Sequence, residues 1–131
     1  MQVELKIRKK RGQKMKKGTI ATAELNGGKE VKNLFSLMLV KYQNNSESNA
    51  LHFDIDDIER ILGVKKDDPK FFRCAQKLCK DFGSSYIKVN NEFDERVICS
   101  GIKYQQSTGW EMVVNPEASQ YLKDIENLQI Q

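Results

Sequence analysis

The sequence holds one histidine, His52, and three cysteines, Cys74, Cys79 and Cys99, with no CxxC pair. Zinc sites need ligands in CxxC or HxxxH spacing, so a metal centre of that kind is excluded. An odd cysteine count without a paired framework points away from a disulfide scaffold and towards a reduced, cytoplasmic protein. No apolar run approaches the roughly 20 residues that span a bilayer. The longest, "LFSLMLV" at 34–40, has the length of a buried helix segment. The N-terminus opens on charge and lacks the apolar stretch of a secretory signal. Proline and glycine are sparse, at two and eight residues, and no repeat or low-complexity segment is present.

Acid is also missing, locally. "KIRKKRGQKMKK", residues 6–17, packs eight lysines and arginines into twelve residues without one acid. The overall formal charge of +4 conceals this asymmetry: residues 1–33 carry +7 and residues 34–131 carry −3. A local excess of this kind guides a polyanion to one face, whereas an even spread mainly affects solubility. The segment has no aromatic residue, so it offers bases no stacking platform and suits backbone contact without sequence reading.

The remainder is composed as a globular domain, with 39% hydrophobic and 31% charged residues in 131. "VELKI" and "TIATAEL" read as two short strands around the basic segment, closed by Gly27-Gly28. Residues 1–28 are thus expected to form a basic N-terminal arm or β-hairpin, and 29–131 the main domain. From Lys29 a helical period places Val31, Leu34, Phe35, Met38, Leu39 and Tyr42 on one side. "LHFDI" is a short extended element. Asp54 or Asp56 then caps a helix with Ile58, Ile61 and Leu62 inward, and Gly63 ends it. In "DDPKFFRCAQKLCKDFG", Asp68 is expected as N-cap and Pro69 as the first helical residue. Phe71, Phe72, Ala75, Leu78, Cys79 and Phe82 are expected inward, with Lys70, Arg73, Lys77 and Lys80 on the opposite side.

Three candidate strands follow, 85–89, 96–104 and 110–115. "NNEFDE" and "QQSTG" join them as hairpin turns. Asn115-Pro116 opens a last helix with Ala118, Tyr121, Leu122 and Ile125 inward. The order of elements predicts an α+β fold of the winged-helix kind, a helix-turn-helix with an antiparallel hairpin or three-stranded sheet behind it. "VKKDD" is its turn and "NNEFDE", with Glu92, Asp94 and Glu95, its wing tip, which would repel phosphate.

A helix-turn-helix lays its second helix in the major groove, so Lys70, Arg73, Lys77 and Lys80 are candidate DNA contacts. Lys6, Arg8, Lys9, Lys10, Arg11, Lys14, Lys16 and Lys17 are candidates for the phosphate backbone. No catalytic group is assigned: His52 reads as a structural, half-buried residue, and no serine or cysteine has a readable histidine partner. Cys74 and Cys79 stand five apart on a helix and face different ways. Asp54, Asp56, Asp57 and Glu59 suit caps and surface better than a divalent ion. The protein is expected to be no enzyme and to use no cofactor or metal.

From "NLFSLMLVKY" to "YLKDI", about residues 31–125, the chain resembles the first winged-helix domain of the plasmid replication initiator (Rep) proteins. The resemblance rests on "LFSLMLV", "LHFDIDDIERILGV", the lysine-rich "KFFRCAQKLCK", and above all "SGIKY" followed by "GWEMVVNPEASQYL". It implies a mobile-element protein, of a plasmid or phage, that binds double-stranded DNA as a homodimer in replication initiation or its regulation. The family's first winged helix contacts DNA largely through the backbone. Its second winged helix has no counterpart here, and segment 6–17 has none in the family. The alternative reading is an inhibitor that binds a host protein or ribonucleoprotein through a repurposed winged helix, with no membrane in either case.

Overall fold

The computed structural model describes residues 2–7, 21–44, 48–89, 95–105, 109–122 and 125–130. In chain order these form strands β1 (Gln2–Ile7) and β2 (Ala21–Glu24), helix α1 (Lys29–Asn44), β3 (Ala50–Phe53), and helices α2 (Ile55–Leu62) and α3 (Phe71–Gly83). Strands β4 (Tyr86–Val89), β5 (Glu95–Val97), β6 (Cys99–Gln105) and β7 (Gly109–Val114) follow, then α4 (Pro116–Leu122) and β8 (Ile125–Ile130). No helix among the described residues is long and apolar enough to cross a membrane.

The strands divide into two antiparallel sheets, one ordered β5-β4-β2-β1-β8 and one ordered β3-β7-β6. This partition corrects the expected wing. The strand between α1 and α2 pairs with β7, Leu51 opposite Met112 and Phe53 opposite Trp110, and β7 pairs with β6. The wing is therefore β6–β7, joined through residues 106–108, whose Gln-Ser-Thr sequence carries no acid. The acidic "NNEFDE" joins β4 to β5, and β4 pairs with β2 in the other sheet. Residues 90–94, including Glu92 and Asp94, lie outside the described residues.

The expected strand 96–104 is two strands, because the chain changes sheet at Ile98. That side chain is wholly buried. Its N–H donates to the Ser85 carbonyl at 3.2 Å and its carbonyl accepts from Asn115 N–H at 3.0 Å. Both backbone groups of a residue belonging to neither ladder are thereby satisfied, as a buried backbone requires. β8 was not foreseen: Ile125, expected on the last helix, instead begins a strand opposite Ile7.

α1 is built as its periodicity dictates. Val31, Leu34, Phe35, Met38, Leu39 and Tyr42 are all buried. They join one continuous core with Val3 and Leu5 of β1, Ala21 and Ala23 of β2, Ile87 of β4, and Trp110, Met112 and Val114 of β7. Phe53 and Trp110 meet at a centroid distance of 6.4 Å, tilted by 57°. Lys41 of α1 sits 5.4 Å above the Phe53 ring. Asn115 caps α4 by accepting Glu117 N–H at 3.1 Å, and Ala118, Tyr121 and Leu122 turn inward.

Candidate nucleic-acid interface

Helix α2 is fixed at both ends by its own sequence. Asp54 accepts Asp57 N–H at 2.9 Å, and Asp57 accepts Asp54 N–H at 3.4 Å, a reciprocal capping box. Gly63 closes the helix in the left-handed region, φ 68°, donating to the Glu59 carbonyl at 2.8 Å. Asp57 is buried and takes on a second task. It pairs with Arg60 and with Lys41 Nζ at 3.3 Å, tying α2 to α1. Burial alone would raise its carboxyl, but Lys41, Arg60 and the Asp54 backbone together hold it below the usual value.

The turn between α2 and α3 is held by acids. Glu59 accepts the Lys66 N–H at 2.8 Å, and Asp68 accepts the Lys70 N–H through its side chain at 2.8 Å. Asp68 was expected to open the helix. The helix proper begins at Phe71, and Asp68 shapes the turn ahead of it, its carbonyl accepting Phe71 N–H at 3.0 Å. At the far end, Ser84 and Ser85 hydroxyls donate to the Asp81 carbonyl at 2.9 and 3.1 Å. Buried Ser85 in turn accepts Asn26 N–H at 3.0 Å, linking the end of α3 to the chain that enters α1.

So mounted, α3 buries Phe71, Ala75, Leu78 and Phe82 and turns Lys70, Arg73, Lys77 and Lys80 to solvent. The four cations fall at spacings of three and four, one face of a helix. Lys77 also lies 3.9 Å from Asp81, a weak exposed pair. Phe72, expected inward, is 46% exposed at the flank of this face; its register puts it a quarter turn from the buried line. Cys79 is half-buried rather than enclosed. Sequence reasoning passed over three further exposed residues here, Lys65 and Lys66 in the turn and Gln76 between Arg73 and Lys77. Their signal was position alone.

Of the candidates in segment 6–17, Lys6 lies on β1, its backbone opposite Asn127 of β8. Arg8, Lys9, Lys10, Arg11, Lys14, Lys16 and Lys17 lie outside the described residues. β1 and β2 pair with each other, Leu5 opposite Ala21.

The His52 side chain is 49% exposed, about half as expected, and its Nδ1 lies 2.6 Å from Glu111 Oε1 across the β3–β7 ladder. Lys103 stands opposite Glu111 on β6, so the outer face of the wing sheet carries a mixed-charge row. Cys74 lines a hollow with Glu30, Val31 and Asp81, whereas Cys79 and Cys99 line another between α3 and β6. Burial pushes their thiols up, Cys79 to about 12 and Cys99 to about 11. Among the described residues, no three histidine, cysteine, aspartate or glutamate side chains gather as a metal site.

A helix-turn-helix with a basic outer helix, backed by a three-stranded antiparallel sheet and its hairpin, defines a winged-helix domain of the α+β class. The particular family follows from the sequence: residues 14–131 match "Initiator Replication protein, WH1", and the chain belongs to that family, as its first winged-helix domain. The match extends beyond residues 31–125 at both ends and begins inside the basic segment, at Lys14. No curated protein matches the chain.

Proposed function

We propose that this protein binds double-stranded DNA without catalysing a reaction, and serves replication initiation or its regulation in a plasmid or phage. The observation that carries the reading is the outward row Lys70, Arg73, Lys77 and Lys80 on the second helix of a helix-turn-helix. Such a helix enters a major groove, and its cations replace the counterions condensed on the phosphates. In this reading residues 29–131 are the DNA-docking unit, and 1–28 are a hairpin that presents Lys6, Arg8, Lys9, Lys10, Arg11, Lys14, Lys16 and Lys17 to the backbone. The family relationship extends the proposal to a homodimer acting in the cytoplasm. The competing reading, an inhibitor of a host protein or ribonucleoprotein, gains no support from an acidic wing, because β6 and β7 are joined through residues 106–108, which carry no acid.

The test is binding to random-sequence duplex across a salt series, with Lys9, Lys10, Arg11 and Lys14 changed to alanine in parallel. Micromolar or tighter binding that falls steeply with salt, and falls less steeply in the variant, is the expected result. No binding at low salt would overturn the reading.

A further inference from the structure

Arg73, Gln76, Lys77 and Lys80 follow one another at i, i+3, i+4 and i+7 on α3, opposite the buried Phe71, Ala75, Leu78 and Phe82. One member of that outward row is not a cation. Gln76 is exposed, in the N-terminal half of the helix, and spends no hydrogen bond on a neighbour among the described residues. The row is flanked by charge at each end, Lys70 at the start of the helix and Lys80 in its last turn.

We infer that Gln76 reads an adenine in the major groove, with the surrounding cations holding α3 in register on the phosphates. The inference rests on the duplex-binding reading above and adds a specificity-determining residue to it. A primary amide presents an acceptor and a donor side by side, and adenine shows the matching pair, N6–H and N7, on its major-groove edge. Gln76 Oε1 accepts from adenine N6–H while its Nε2 donates to N7. Thymine and cytosine offer no such pair of adjacent groups, and guanine presents two acceptors, which leaves the amide oxygen facing an acceptor instead of a donor. An amide neutralises no phosphate, so at this place in a row of cations it adds hydrogen-bonding capacity without adding charge. Residues early in a recognition helix are the ones that reach base edges, and a 13-residue helix about 20 Å long lies within the groove over more than one base step. Family likeness implies backbone contact by this domain; Gln76 adds base reading to it.

The experiment is selection from a pool of randomised duplexes at moderate salt, followed by sequencing of the retained fraction, for wild type and Gln76→Ala. The wild type is expected to enrich adenine on the order of tenfold at one position. Gln76→Ala is expected to flatten that position alone, leaving the other positions and the salt slope on a random duplex unchanged. A wild type that retains duplexes without base preference, or a variant that keeps the adenine, overturns this inference and leaves the duplex reading standing. Failure to retain any duplex at low salt overturns both.

Discussion

Asp57 shows what a single residue decides here. It is one of four acids in "DIDDIE", and nothing local marks it as the one that is buried; that follows from Lys41, sixteen residues earlier, arriving from α1. The cap was legible as Asp54 or Asp56, of which the structure uses Asp54, and the closing Gly63 was legible outright, because caps are written in adjacent residues. Replacing Asp57 with alanine removes the N3 half of the capping box and leaves Lys41 without its carboxylate, so a loss of about 2 kcal/mol is expected in denaturant unfolding. The pH dependence has a definite sign. A carboxyl held below its ordinary value of 3.8 contributes stability above that pH and loses it as pH falls through the lowered value. The stability gap between wild type and Asp57→Asn should therefore be full at pH 6 and narrow below about pH 4. A gap unchanged down to pH 2 would contradict the pairing. The thiols of Cys79 and Cys99, raised to about 12 and about 11, should resist alkylation at pH 7.5 until the protein is unfolded. Labelling of the native protein at the rate of a free thiol would show that neither is shielded between α3 and β6.

At the scale of elements, helices were readable and sheet membership was not. The periodicity of α1 named all six of its buried residues, since amphipathicity is a local property. Strand pairing is not local. "RVICSGIKY" has the composition of one strand, yet its halves serve different sheets, because Ile98 gives its backbone groups to Ser85 and Asn115. For the same reason the acidic hairpin was mistaken for the wing: either of two consecutive hairpins fits the sequence, and only pairing with β3 chooses between them. That pairing has its own sensitive point. Gly109 opens β7 at φ 111°, and a Cβ there would stand 2.0 Å from the Phe53 carbonyl oxygen. Gly109→Ala should cost more than about 2 kcal/mol, read as a lowered melting temperature. An unchanged melting temperature would mean that β3 and β7 are not in this register.

For the whole molecule, charge is the property that sequence conveyed most directly and structure refined. The +7 of residues 1–33 is a matter of composition, and the basic outer face of α3 followed from periodicity. Gln76 escaped notice because it is uncharged in a row recognised by its cations, and Lys65 and Lys66 because they lie in a turn outside any helical period. The family match places the fold within replication initiators, and the outward face of α3 is where the proposed duplex contact lies. The most direct measurement is the salt dependence of duplex binding for wild type and for Lys70, Arg73, Lys77 and Lys80 changed together to alanine. All four are exposed, so each change should move stability by no more than about 0.5 kcal/mol. The log–log slope should become shallower by roughly 3 to 4, about one unit for each phosphate that these side chains neutralise. A folded variant with the wild-type slope would contradict the account and remove α3 from the DNA interface.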